Sequence, residues 1–197
     1  MKDILKKMDY INKILEKKLS PKRLKHTLGV AKAAKELAIK YEADVDKTVK
    51  AALLHDICKC YSSEELDKKI IEYDLPKKYL GKPKLSHSNV GAEFVKRELG
   101  IEDEEIINAI RFHTTGRANM TKLDEIIYLS DMIEENRQYE GVDKLRDLAK
   151  SNLEVACHAS LRDSIKFLEA EKANIDNDTI LAMKWLDDKL NGGKNEQ

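Results

Sequence analysis

The chain has 197 residues, 42% apolar and 37% charged, enough apolar material for one large helical domain or two small ones. Lys and Arg together number 36 and so do Asp and Glu, for a formal net charge of zero. That balance excludes a global electrostatic pull toward nucleic acid or an anionic membrane, so any anion site has to be local.

Three cysteines, Cys58, Cys60 and Cys157, form no C-x-x-C pair and no zinc-ribbon spacing. So sparse a count fits a reducing compartment. The N-terminus does not read as a signal peptide, and no apolar run is long enough to span a membrane. The expected location is the cytoplasm, with no membrane or nucleic-acid partner. Glycine and proline are rare, 8 and 3 in all. The long segments carry a helical apolar period rather than strict alternation, which predicts an all-α fold.

Residues 2–18 place Ile4, Leu5, Met8, Ile11 and Leu15 on one stripe opposite Lys, Asp and Glu, the pattern of an amphipathic helix that packs on something. Ser20-Pro21 marks a new start, with Ser20 as N-cap and Pro21 in the first turn, of a helix reaching about Tyr41. His26 falls on an inward stripe with Val30, Ala33 and Leu37. Arg23 lies one turn earlier on the same side, where an ordinary surface role is the alternative.

Asp46 is the expected cap of the third helix, which ends in Leu53-Leu54-His55-Asp56-Ile57-Cys58-Lys59. A carboxylate and an imidazole beside an aliphatic run are costly to bury unless something pairs with them. A divalent cation suits adjacent nitrogen and oxygen ligands; a chance dipeptide at a helix end is the alternative. Lys59 lies one turn after Asp56, placed to offer positive charge to an anion or to form a salt bridge.

Residues 62–84 read as a short helix and a loop broken by Pro76, Gly81 and Pro83. Ser86-His87-Ser88-Asn89 then opens a helix stopped by Gly100, with His87 in its first turn, either facing an anion or assisting the cap. Asp103 starts the next helix, with Ile106, Ile107 and Ile110 inward and His113 at its end, followed by the small polar loop Thr114-Thr115-Gly116-Arg117.

Thr121-x-x-Asp124 reads as a capping box for a helix in which Asp131 interrupts a mostly apolar run. A buried carboxylate needs a cation, a strong donor or a proton, so metal ligation and an ion pair are both open. Residues 142–172 read as one long helix holding His158, a structural histidine without a nameable partner. Asp178 is the expected cap of a last helix. One domain over 20–190 is the economical reading, with 1–19 an N-terminal helix packed on it and 191–197 a disordered tail.

Four of the five histidines, His26, His55, His87 and His113, thus fall at helix ends or on inward faces, accompanied by Asp56 and Asp131. The order H…HD…H…H…D across five helices resembles the HD-domain metal-dependent phosphohydrolases. The stretches Leu24–Val30, Leu53–Lys59, Leu85–Ala92, Ile110–Gly116 and Ile127–Glu134, the last followed by Asn136-Arg137, resemble one bacterial branch of them. This is the YqeK family of symmetrical bis(5′-nucleosyl)-tetraphosphatases, and the resemblance runs over roughly residues 20–190. Cys58 departs from it, where a small residue such as Ala is expected.

The resemblance implies cleavage of diadenosine tetraphosphate into two ADP, with His26, His55, Asp56 and Asp131 as metal ligands. It implies that His87 and His113 complete a second metal position or contact phosphates. Arg23, Lys59, Thr114 and Arg137 then match positions near the bound nucleotide, and the segment from Asn174 to Thr179 closes over the nucleoside.

Mixed His/carboxylate ligation without thiolate suits iron first, with manganese or another borderline divalent ion as alternatives. The expected chemistry is in-line attack of a metal-bound hydroxide on phosphorus. Asp56 orients or deprotonates the water, and Lys59, His87, His113 and Arg137 stabilise developing charge. A nucleotidase or phosphodiesterase of the same fold acting on another nucleotide is the nearest rival. The first helix is also a candidate dimer surface, although packing on its own domain is the commoner use of such a stripe.

Overall fold

The computed structural model describes residues 2–192, with side chains from Tyr10 onward. Ile4, Leu5 and Met8 of the expected first stripe lie outside the described side chains, and 193–197 of the expected tail lie outside the described residues. In chain order the helices are α1 (Lys2–Lys18), α2 (Pro21–Lys40), α3 (Val45–Leu54), α4 (Ser63–Glu72), α5 (Pro83–Leu99), α6 (Glu104–Phe112), α7 (Lys122–Ile133), α8 (Val142–Ser151), α9 (Leu153–Ala170) and α10 (Asn177–Gly192). A 3₁₀ turn at Lys77–Tyr79 separates α4 from α5, and there is no strand among the described residues.

The middle of the molecule is α7. It packs on α2, α3, α6, α8 and α9, and Ile126, Ile127 and Leu129 are completely enclosed. They meet a core that includes Ile107 and Ile110 of α6, Leu53 and Leu54 of α3, and Val30, Ala34 and Ala38 of α2. The small residues on α2 suit the close approach of α3 and α7. Helix α1 lays Ile11, Leu15 and, just beyond its end, Leu19 on this core. Lys18 Nζ fastens its C-terminal end by donating to Tyr61 Oη at 2.5 Å and lying 4.3 Å from the Phe94 ring centroid.

Several boundaries follow the expected caps. Ser20 Oγ accepts from Arg23 N, and Thr121 and Asp124 form the reciprocal capping box of α7. Others do not. The cap of α3 is Asp44 rather than Asp46, because Asp44 holds extended backbone and its carboxylate accepts from Lys47 N at 2.9 Å, leaving Asp46 in the first turn. Helix α5 begins at Pro83, so His87 sits in the second turn, not the first. Asp176, not Asp178, caps α10, its carboxylate accepting from Asp178 N at 3.0 Å.

The long helix expected over 142–172 is two helices. Asn152 adopts φ −153° and ψ 118°, ends α8, and caps α9 by accepting from Val155 N at 3.0 Å. Asn152→Ala should cost about 1 kcal/mol of stability, read by urea unfolding; a cost of zero would deny the cap its role.

Glu125 of α7 is buried, and its Oε1 has no hydrogen-bond partner; Lys189 Nζ stands 3.9 Å away. Burial pushes its carboxyl up from 4.5 to about 7, and Lys189 only partly opposes this. The folded chain therefore keeps a proton that the unfolded chain releases, so this group's contribution to stability declines as pH rises from about 4.5 to about 7. Glu125→Gln should raise stability at pH 8 by about 1–2 kcal/mol, allowing for partial solvent screening. The gain should vanish below the unfolded-state value of 4.5. Urea midpoints at both pH values check this, and equal gains at both would contradict it.

Candidate metal and nucleotide site

Five helices deliver polar side chains to one point. Helix α2 supplies His26, the end of α3 supplies His55 and Asp56, α5 supplies His87, the end of α6 supplies His113, and α7 supplies Asp131. Beyond Leu54 the chain leaves regular α-helix in tight turns, with Ile57 N donating to Leu54 O and Lys59 N to Asp56 O at 3.1 and 2.9 Å. This wraps His55 and Asp56 into the interior, where they are 0% and 2% exposed.

The tautomers follow from the partners. The Nδ1 atoms of His55, His87 and His113 face backbone carbonyls of Ala52, Pro83 and Ile110 at 2.6, 3.0 and 2.7 Å. A carbonyl only accepts, so each Nδ1 carries a proton and each Nε2 is turned the other way, toward the centre of the cluster. His26 does the same against a carboxylate, with Nδ1 3.1 Å from Glu134 Oε1. Burial pushes His87 down to about 4, so it is neutral.

Those four Nε2 atoms surround Asp56. His55 and His26 lie 3.3 and 3.8 Å from its Oδ2, and His87 and His113 lie 3.3 and 3.6 Å from its Oδ1. His26 Nε2 is also 2.9 Å from Asp131 Oδ1. Burial alone would raise both aspartates, but hydrogen bonds and positive charge from the surrounding rings, joined at Asp131 by the Arg137 guanidinium, outweigh it and hold each carboxyl below the usual range.

His26 Nε2, His55 Nε2 and Asp56 Oδ1 are nevertheless buried without a hydrogen-bond partner. Buried imidazole nitrogens and carboxylate oxygens crowded together, three of them left unpartnered, are the electrostatic demand of a cation. His26, His55 and Asp131 form one group whose ligand atoms lie within 4.8 Å of one another, and His55, Asp56 and His113 form a second. The residues present fit a divalent ion with nitrogen and oxygen ligands.

The positive side chains expected near a nucleotide are at the same place. Arg23 Nη1 donates to Asp56 Oδ2 at 2.8 Å, and Arg137 bonds both the carboxylate and the carbonyl of Asp131. Lys59 Nζ donates to His87 Nε2 at 3.2 Å, and Thr114 Oγ1 donates to His113 Nε2 at 3.3 Å. Asn174 is exposed and Thr179 is buried in α10; neither shares a hydrogen bond with the histidine cluster. Helix α10 does reach the loop after His113. Gly116 has φ +68°, and a Cβ there would stand 3.0 Å from Ala182 Cβ.

A groove of about 710 Å³ opens beside the cluster, lined by Lys22, Arg23, Lys25, His26, Lys59 and Arg137 among others. In a chain of zero net charge this lining gathers five Lys and Arg side chains against Glu134 and Glu135. Lys22 and Lys25 escaped the sequence reading because surface lysines are common in this chain, and Glu134 because it stands in an acidic run. Its position three residues after Asp131, on the same helical side, was the available signal. Cys58 is packed in the core and its thiol is pushed up to about 12 by burial. His158 has a partner after all, Asp187 Oδ1 at 2.7 Å, in keeping with a structural role.

Five helices carrying this H…HD…H…H…D set to one point form the arrangement of an HD domain, and residues 23–136 match the HD domain family. Over 173 residues the chain is 40% identical to the symmetrical bis(5′-nucleosyl)-tetraphosphatase of Bacillus subtilis, spanning 87% of this chain and 93% of that one. It is 34% identical to the protein of the same name from Staphylococcus aureus over 88% of this chain and 91% of that one. A crystal structure from Clostridium acetobutylicum, described as a predicted HD superfamily hydrolase involved in NAD metabolism, superposes with a TM-score of 0.88 at 36% identity. It covers 92% of this chain and 97% of that one. The chain belongs to the HD-domain family and, within it, to the symmetrical bis(5′-nucleosyl)-tetraphosphatases.

Proposed function

We propose that the chain hydrolyses diadenosine tetraphosphate symmetrically: one water adds to a central phosphorus, the bridging oxygen leaves with the other half, and two ADP result. The observation that carries this is likeness to symmetrical tetraphosphatases along nearly the whole length of both chains, joined to a cluster of unpartnered ligand atoms beside a basic groove.

His26, His55, Asp56 and Asp131 are the ligands of a divalent cation, iron first and manganese next by donor type. His87 and His113 extend the set or meet phosphate oxygens. Such a cation acidifies water and draws charge from phosphoryl oxygens. The residues supply the rest. Asp56 Oδ1 accepts a hydrogen bond from the attacking water and orients it. Lys59 and Arg137 bring positive charge to the oxygens on which negative charge develops. Arg23 and Thr114 hold the polyphosphate, and the segment from Asn174 to Thr179 covers a nucleoside.

No helix among the described residues is long and apolar enough to cross a membrane. The proposed partner is a small nucleotide, met without nucleic acid or membrane, and the proposed setting is the cytoplasm.

Substrate choice separates this function from its rival. The value of kcat/KM for diadenosine tetraphosphate should exceed that for AMP or a cyclic nucleotide by at least about 100-fold, about 2.7 kcal/mol of transition-state preference. The reverse order would assign the site to a nucleotidase or phosphodiesterase. Arg137→Ala should lower kcat/KM by about 10- to 100-fold, through KM and kcat together, because it removes a charge-assisted contact to the substrate that strengthens as charge develops. Steady-state kinetics check this, and an unchanged KM would remove Arg137 from the nucleotide.

A further inference from the structure

We infer that Glu134 is a positioning residue for metal capture: it holds the proton of His26 on Nδ1 and so keeps the Nε2 lone pair aimed at the cation site. This rests on the reading of His26 as a metal ligand. Three of the four site histidines are oriented by backbone carbonyls. His26 alone is oriented by a side chain, and that side chain can be changed.

Glu134 is 2% exposed and follows the last residue of α7. Its two oxygens have separate duties. Oε1 lies 3.1 Å from His26 Nδ1. Oε2 accepts from Asn136 N at 2.7 Å and from Asn136 Nδ2 at 2.9 Å. Two donors from one residue fix the carboxylate plane, and the fixed plane presents Oε1 to the imidazole. The backbone of α2 makes room for it: a Cβ on Gly29 would lie 2.5 Å from Oε2. Gly29, Glu134 and Asn136 therefore form a single seat behind His26.

The seat makes a counter-intuitive prediction for the isosteric variant Glu134→Gln. The two Asn136 donors require an acceptor at the Oε2 position, so the glutamine turns its carbonyl oxygen there. Its amino group then faces His26 Nδ1 and donates to it. Nδ1 becomes an acceptor, and the ring proton moves to Nε2, the atom that has to bind the metal. A merely structural hydrogen bond would be satisfied by this swap, whereas a tautomer-setting one would be reversed.

The test titrates full-length metal-free protein with Mn²⁺ alone, read by electron paramagnetic resonance, for the wild type, Glu134→Gln and His26→Ala. The expected result is a 10- to 100-fold weaker affinity in Glu134→Gln, with circular dichroism and the metal-free unfolding midpoint close to wild type. Wild-type affinity in Glu134→Gln beside weakened affinity in His26→Ala overturns the role of Glu134 alone. Wild-type affinity in His26→Ala overturns the ligand assignment and this inference with it. If Glu134→Gln does not fold, ¹⁵N resonances of the Zn²⁺-loaded wild type decide: a His26 proton on Nδ1 is expected, and a ring without one there overturns the inference.

Discussion

Asp56→Ala should abolish turnover and lose the metal together, with kcat falling by at least about 10⁴-fold, or about 5.4 kcal/mol of transition-state stabilisation. The size follows from position. Asp56 lies within 3.8 Å of the Nε2 atoms of all four site histidines, and it is also bonded to Arg23. Removing it leaves Arg23 and Lys59 beside the four rings without that carboxylate, so the cluster loses negative charge that favours a cation and keeps positive charge that opposes it. Metal content by mass spectrometry and turnover on the same preparation check the result. Full metal content with full activity would contradict the mechanism.

Leu54→Ala should be the most damaging single truncation near the site, costing about 3–5 kcal/mol. Leu54 is fully enclosed and is the last residue of α3, immediately before the turns that bury His55 and Asp56. Its loss leaves a cavity behind those two residues. For a chain of this size the melting temperature should fall by about 6–20 °C. Because a ligand that binds only the folded state stabilises it by mass action, excess Mn²⁺ should recover part of the loss. Calorimetry with and without metal measures both effects. A cost below about 1 kcal/mol would mean that the neighbouring helices collapse into the gap.

The helices, and the convergence of six histidine and aspartate side chains on one point, were legible because their signals are local. Ser20-Pro21, Asp103 and the Thr121–Asp124 box satisfy nearby backbone donors, and the inward histidines fall on apolar faces of three- and four-residue spacing. The break at Asn152 was not legible. The apolar stripe runs through Leu145, Ala149, Leu153 and Ala156 at four- and three-residue spacing, and only the extended backbone of Asn152 separates the helices. Asp44 and Asp46 offer the same side chain two residues apart, and dihedral angles decide between them. The tautomers of His55, His87 and His113 depend on backbone carbonyls, which no residue code records. Glu134 required knowing that the end of α7 lies against Gly29 of α2, a contact across more than 100 positions of sequence.

The most direct measurement is anion-exchange analysis of the products formed when freshly purified full-length protein acts on diadenosine tetraphosphate with iron or manganese. ADP as the sole product is the predicted result. AMP with ATP would contradict symmetrical cleavage and shift the substrate by one phosphate along the site. No turnover with either metal, beside hydrolysis of a monophosphate or cyclic nucleotide, would contradict the proposed substrate itself.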